Sequence, residues 1–389
     1  MSHQPCAIVG IGQTHHKKAR LDVSFAGLVR EAAQRALDDA HMTWTDIDAV
    51  VVGKAPDLFE GVMKPELYLS DALGATGKPM FRVHTAGSVG GTTGIVASHH
   101  VETGRFERVM AVAFEKQSEG NAQFALGSGK SGSLGAGGAF APYMRSYIER
   151  TGAPLDIGPM VAVKDRLNAV KNPYAHLKLK DINLETVKAS PMLWDPVRFL
   201  ESCPSSDGAC AAIFTNEAGG REAEADGRQP AWILGSAVRS EPSTFPGRDP
   251  VRPQGAIDCA RDVYAQAGIT NPRQQIDCAE LYVPFSWYEP MWLEGHEIAE
   301  PGEGWKMTER GDTALGGSFP VNMSGGVLSS NPIGASGLLR FTEAALQVRG
   351  MAGEHQVEGA KVALAQAYGA AAQYFSMWVV SNSLDPFAN

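Results

Sequence analysis

One pattern of secondary structure is written twice in this chain, and it constrains the fold more than any single motif. Ala7–Ile11 reads as a strand, Phe25–Ala40 as a helix with apolar residues spaced near 3.6, and Ile47–Val52 as a second strand. Much later, Ala256–Ala267 repeats the amphipathic helix and Gln275–Tyr282 repeats the strand behind it. Both strands open on an Ile-Asp pair with alanine close behind, Ile47-Asp48-Ala49 and Ile276-Asp277-Cys278-Ala279. A second echo follows. Ala86–Gly94 leads into a helix to about Thr103 and a strand Val109–Phe114, while Gly325–Gly337 leads into a helix to about Arg349 and a strand Lys361–Ala367. A βαβαβ unit used twice predicts an α/β protein with mostly parallel sheets and helices packed on them. The halves divide at 1–235 and 236–389. Between them about 117–202 breaks the pattern, opening on a Gly/Ser tract (Gly127–Gly138) and continuing with helices near Ala141–Thr151 and Gly158–Val170. It reads as an inserted lobe lying over the site.

Composition removes several classes. The 389 residues are 44% hydrophobic with no 18-residue apolar run, which argues against a membrane span. A net charge of −9 argues against a nucleic-acid surface. The start lacks a basic segment followed by an apolar one, so no secretory signal is read there. Five cysteines (Cys6, Cys203, Cys210, Cys259, Cys278) are scattered with no C-x-x-C pair, as expected of a reducing cytoplasm. No zinc-binding spacing is present in the sequence.

The chemistry concentrates in Val321–Gly337, VNMSGGVLSSNPIGASG. Glycines there let backbone approach a ligand, and the helix behind them points free N–H groups forward. Such a loop, a buried helix and a strand ending Ala367-Tyr368-Gly369 form the anatomy of an anion- or thioester-binding site. Gly127-Ser128-Gly129-Lys130-Ser131 ends like a phosphate loop, but Phe124 stands where the first glycine belongs and no strand leads in. In Cys203-Pro204-Ser205-Ser206-Asp207-Gly208-Ala209, Cys203 as nucleophile or Asp207 as base competes with a tight turn into a buried strand. The turn, with Asp207 bonding local N–H groups, is the better reading. Tyr282 precedes Pro284 and an aromatic helix (Phe285, Trp287, Tyr288, Trp292). The repeat puts it on the same sheet edge as Tyr368 and Asn331, and ligands in such sheets gather at carboxyl ends.

With the duplicated halves, the motifs Cys203–Ala209, Ser324-Gly325-Gly326, Asn331-Pro332-Ile333-Gly334-Ala335-Ser336-Gly337 and Gln356-Val357-Glu358-Gly359-Ala360 resemble the thiolase superfamily. Within it the chain is most similar to the sterol carrier protein X-type thiolase-like group. The resemblance implies duplicated βαβαβαββ halves in a five-layer αβαβα arrangement with an inserted loop domain. It also exposes departures. The nucleophilic cysteine at the N-terminus of the first buried helix is replaced by Gly87 or Ser88, and the family histidines by Tyr282 and Asn331. The second cysteine is replaced by Tyr368. A serine there would lack its histidine base, so thiolysis is not expected.

The pattern is similar to the thiolase-like aldolases of bacterial steroid side-chain degradation, which implies retro-aldol cleavage of a β-hydroxyacyl-CoA. Tyr282 and Tyr368 would then move protons, with one phenol lowered from its usual pKa near 10, and Tyr288 would be a bystander. Asn331 and N–H groups around Gly87, Ser88 and Gly369 would hold the enolate oxygen, and Ser324, Gly325 and Gly326 would bind substrate. No metal or organic cofactor is implied. The CoA thioester is substrate, and any zinc would belong to a small zinc-ribbon/OB-fold partner of a homodimer. The aromatic helix, with Trp194 and Phe199, suggests a large apolar acyl group such as a steroid. The alternatives are an inactive acyl-CoA or lipid carrier of thiolase fold, or an acyltransferase with an altered site.

Overall fold

The computed structural model describes residues 4–55, 64–120, 135–242 and 247–388. The Gly127–Ser131 segment and most of the Gly/Ser tract lie outside them. The first half runs β1 (Cys6–Gln13), α1 (Phe25–Ala40), β2 (Ala49–Lys54), β3 (Met80–Val83), α2 (Val89–Glu102) and β4 (Arg108–Lys116). A lobe follows, with α3 (Gly135–Thr151), α4 (Ile157–Lys171) and the hairpin β5 (Met192–Trp194) and β6 (Val197–Arg198), and then β7 (Asp207–Asn216) and α5 (Glu217–Ala225). The second half runs β8 (Ala231–Ser240), α6 (Gln254–Ala267), β9 (Cys278–Glu280), α7 (Tyr288–Gly295), α8 (Ile333–Arg349), β10 (Val362–Gly369) and β11 (Tyr374–Ser381).

The duplication is visible strand by strand. The sheet order is β3-β2-β4-β7-β1-β8-β11-β10-β9. Reading outward from β1 and β8, each side meets its last strand (β7 or β11), then its post-helix strand (β4 or β10), then β2 or β9. The edge partner of β9 is reduced to a parallel bridge between Ala279 and Val321, in the place β3 holds beside β2. Because β8 occupies the place of β1, a division at 235/236 would cut through the first strand of the second half. Among the described residues, β2–β3, β2–β4 and β9–β10 pair in parallel and the other five neighbours are antiparallel, so the sheet is mixed rather than mostly parallel. The reason is local: residues 370–373 joining β10 to β11 form a hairpin too short for a parallel crossover, and β7 and β11 return beside their predecessors.

Local chemistry sets the layers. Ser24 caps α1 by accepting the Gly27 N–H, and Leu28, Val29, Ala32, Ala33, Ala36, Leu37 and Ala40 bury one stripe against the first sheet. Each large side chain on that stripe contributes roughly 1.5–3 kcal/mol of burial. The glycine-led helices α2 and α8 instead bury nearly their whole circumference, as helices enclosed between two layers of strands must. They cross at backbone contact. A Cβ on Gly90 would lie 2.5 Å from the Leu338 nitrogen, and one on Gly337 would lie 2.5 Å from the Gly91 nitrogen. The layers are therefore α1, the first-half strands, the α2–α8 pair, the second-half strands and α6, with β1 and β8 joining the two strand layers into one sheet. No helix among the described residues is long and apolar enough to cross a membrane.

The lobe packs on the second half through polar anchors. Lys164 donates to the Val321 carbonyl, Asn168 to that of Asn322 and Asn172 to that of Ser324, while Phe140 meets Phe285 and Tyr288 edge-on.

Candidate active site

Tyr282, Tyr368 and Asn331 come together. The strand expected to reach Tyr282 ends at Glu280. Side chains take over its ladder: Leu281 N–H donates to Asn322 Oδ1 at 2.8 Å and Tyr282 N–H to Gln366 Oε1 at 3.0 Å. The Tyr282 carbonyl accepts from Trp292 Nε1 at 2.9 Å, so the residue is gripped at both backbone ends. Its hydroxyl donates to Asn331 Oδ1 at 3.4 Å, and its ring meets Tyr368 edge-on at 5.5 Å. Tyr368 stands on β10, two residues past Gln366, with Trp292 at 5.0 Å, Tyr288 at 5.2 Å and its cross-strand neighbour Phe375 at 6.3 Å.

Asn331 is fixed on every side. Its N–H donates to Ser206 Oγ at 3.1 Å, its carbonyl accepts from Gln117 Nε2 at 2.7 Å, and its Oδ1 accepts from Ser336 Oγ at 2.8 Å. Its Nδ2 donates to Cys203 Sγ at 3.2 Å, which brings into the site a residue that the sequence assigned to a turn. The thiol retains some accessible surface, yet its packed surroundings push it up to about 11, so it stays protonated and is a poor nucleophile. Only the adjacency of the Cys203–Ala209 and Asn331 motifs in a common fold signalled this, because 128 residues separate the pair.

The glycine positions close the floor. A Cβ on Gly87 would lie 3.1 Å from the Tyr368 carbonyl and 4.0 Å from the Tyr282 hydroxyl. One on Gly369 would lie 2.5 Å from both the Gly87 and Ser88 nitrogens. Ser88 itself is spent: its Oγ donates to the Thr85 carbonyl at 2.7 Å, and its N–H donates to the same carbonyl at 3.2 Å. The Ser88 N–H expected to hold the enolate oxygen is thus already engaged, while Asn331 meets the Tyr282 hydroxyl through Oδ1 and Gly87 lies against the Tyr368 carbonyl. Left-handed backbone gathers at this floor, at Ala86 (φ 51°) before Gly87 and at Ala370, Ala371 and Ala372 (φ 52°, 54°, 61°) after Gly369. Each such residue costs about 1–2 kcal/mol, and strain of this kind concentrates at functional sites.

Other expectations are corrected. The Ser324 N–H and Oγ both donate to the Glu280 carboxylate at 2.9 Å, Gly325 abuts Ala169 of the lobe, and Gly326 abuts Asn322 and Asp165. These three therefore seat the lobe and the second half rather than face substrate. Asp207 accepts from the distant Arg20 and Ser118 N–H groups and from Ser118 Oγ, so it staples chain segments and not its own turn. Neither phenol is lowered: burial raises Tyr282 and Tyr368 well above their usual value, and both are protonated at neutral pH. Phe285, Trp287, Tyr288 and Trp292 belong to the core, and Phe199 lies exposed on the lobe, so they do not define an acyl pocket.

Residues 237–382 match a family model described as thiolase C-terminal domain-like. Bovine sterol carrier protein 2 (Bos taurus) is 30% identical, over 92% of this chain and 68% of the relative. An acetyl-CoA acetyltransferase of Methanothermobacter thermautotrophicus is 32% identical, over 92% of this chain and 94% of the relative. The chain belongs to the thiolase superfamily. Among solved structures, an Ltp2-ChsH2(DUF35) aldolase superposes with a TM-score of 0.79 at 25% identity over 98% of both chains. Human mitochondrial 3-ketoacyl-CoA thiolase does so at 0.71 and 13% identity, over 98% of this chain and 100% of that one, a likeness of fold. This thiolase-like chain thus shares its fold with thiolases and with a protein named an aldolase, while its site carries Gly87, Tyr282, Asn331 and Tyr368.

Proposed function

We propose that this protein cleaves a β-hydroxyacyl-CoA by a retro-aldol reaction, giving a ketone or aldehyde and a shorter acyl-CoA, with a steroid side-chain thioester as the first substrate to try. The observation that carries the reading is the pair of buried, protonated phenols in edge-on contact beside the Asn331 amide. The reaction moves one proton from the β-hydroxyl to the α-carbon while the Cα–Cβ bond breaks and its electron pair enters the thioester enolate. No proton is gained or lost overall. Two phenols in contact meet that need: one takes the hydroxyl proton as it passes its own to the other, whose own proton goes to the α-carbon, so both end as neutral phenols. A free phenolate, which burial disfavours, is never required. Gly87 N–H and Asn331 Nδ2–H are the donors for the enolate oxygen. The scheme calls for no metal or organic cofactor.

The test incubates the purified chain, with and without a zinc-ribbon/OB-fold partner, on β-hydroxyacyl-CoA esters lacking free CoA. The expected result is carbonyl product plus shortened acyl-CoA, with no acyl adduct on Ser88 or any cysteine in the intact mass. An adduct, or a need for free CoA, would point instead to an acyltransferase. Tight binding with no products would favour the carrier. The partner is proposed because the aldolase neighbour is named as a complex with a DUF35 component. The second copy is proposed because β3 ends the sheet, and Phe81 on it, like Leu67 and Tyr68 in the segment before it, is exposed. Light scattering should report a dimer that Phe81→Asp converts to monomer, and an unchanged mass would place the interface elsewhere.

A further inference from the structure

Tyr288, which the sequence leaves as a bystander, stands inside the aromatic cluster that carries Tyr368. Its ring stacks on Trp292 at 4.9 Å, tilts against Tyr368 at 5.2 Å, and is covered edge-on by Phe140 of the lobe at 6.0 Å. The side chain is fully buried, and its hydroxyl has no partner at hydrogen-bond geometry among the described residues. A sealed, unpaired hydroxyl is a cost to folding. Phenylalanine would keep every one of those ring contacts without it, so packing gives no reason for the oxygen. The neighbouring phenol does. The Tyr288 and Tyr368 rings lie 5.2 Å apart, and after burial the Tyr288 side chain is the next influence holding Tyr368 protonated.

We propose that Tyr288 is a positioning residue, whose hydroxyl fixes the direction in which the Tyr368 O–H points and so aims the proton that Tyr368 passes to substrate. This rests on Tyr368 being a proton-transfer group in the retro-aldol reaction. Phe140 of the lobe packs edge-on against Tyr288 and so helps hold its ring beside Tyr368. Because Tyr288 acts only through Tyr368, its effect disappears once the Tyr368 hydroxyl is gone.

The experiment measures kcat, KM and melting temperature for the parent, Tyr288→Phe, Tyr368→Phe and the double variant on one β-hydroxyacyl-CoA ester. Tyr288→Phe should lower kcat about tenfold, a fraction of a full acid–base contribution, with KM and melting temperature unchanged or the latter raised. The double variant should be no slower than Tyr368→Phe alone. If Tyr288→Phe stays within about twofold of the parent while Tyr368→Phe is disabled, the positioning role is wrong and the reaction assignment stands. If activity and melting temperature fall together, the hydroxyl is structural and the inference fails. A parent that cleaves nothing removes the reaction assignment, and this role with it.

Discussion

Replacing Tyr368 or Tyr282 with phenylalanine should cost 10²–10⁴-fold in kcat, roughly 3–5 kcal/mol of barrier, while leaving the fold intact. Folding should hardly notice, because the Tyr282 hydroxyl makes only a 3.4 Å contact and the rings supply the packing around Tyr368. Tyr174→Phe is the appropriate control: its ring, on the lobe, contacts His15 and Arg35 of the first half, away from the cluster. The pH profile adds a second check. Both phenols are raised by burial, so the competent protonated pair persists above the ordinary value near 10 and kcat should be flat from about pH 7 to 9. The same raised values make the folded state lose stability only above about pH 10, where the unfolded chain sheds tyrosine protons that the folded chain retains. An activity limb near neutrality, or two phenylalanine variants within about threefold of the parent, would remove the tyrosines from proton transfer.

The contrast between Tyr282 and Ser88 shows what a sequence of this kind discloses. The repeat placed Tyr282 and Tyr368 on one edge because strand and helix periods survive in the pattern, and α1 runs over the residues that its 3.6 spacing indicated. The central crossing of α2 and α8 was legible for the same reason, since each helix opens on glycines. Hydrogen-bond direction is not periodic. Nothing in Thr85–Gly91 says that Ser88 will turn both its donors onto Thr85, or that Ser324 will spend its own on Glu280. Burial of ionisable groups was equally hidden. A phenol lowered by helix N–H groups was expected, but dense aromatic packing from α7 and β11 desolvates both tyrosines and moves them the other way. Cys203 was assigned to a turn because its contact with Asn331 depends on where the lobe returns to β7, which has no local signature.

Arg340→Met should be the most destabilising of the simple substitutions near the site. Arg340 projects from α8, almost wholly buried, and its Nη1 bonds both the Glu280 carboxylate and Ser324 Oγ, the latter at 2.8 Å. Glu280 is fully buried, two residues before Tyr282, and also accepts the Ser324 N–H. Burial already pushes its carboxyl up and Arg340 is the main influence holding it down. Removing the cation leaves an uncompensated buried carboxylate, a loss of about 3–5 kcal/mol. Protonation offers a partial escape, which fixes the pH dependence. Without Arg340 the folded carboxyl lies further above its unfolded value near 4.3, so stability falls as pH rises from there through the folded pKa. The deficit should therefore be larger at pH 8 than at pH 5.5. Adding Glu280→Gln should recover most of the loss, since the neutral amide still accepts the Ser324 N–H and no charge is stranded. Glu280→Leu in the same background should recover less, because that N–H is left unpaired at about 1–3 kcal/mol. Urea midpoints of the three variants at both pH values decide the matter. If Arg340→Met lies within about 1 kcal/mol of the parent at pH 8, the pair is not what holds the Ser324 loop against the Tyr282 segment.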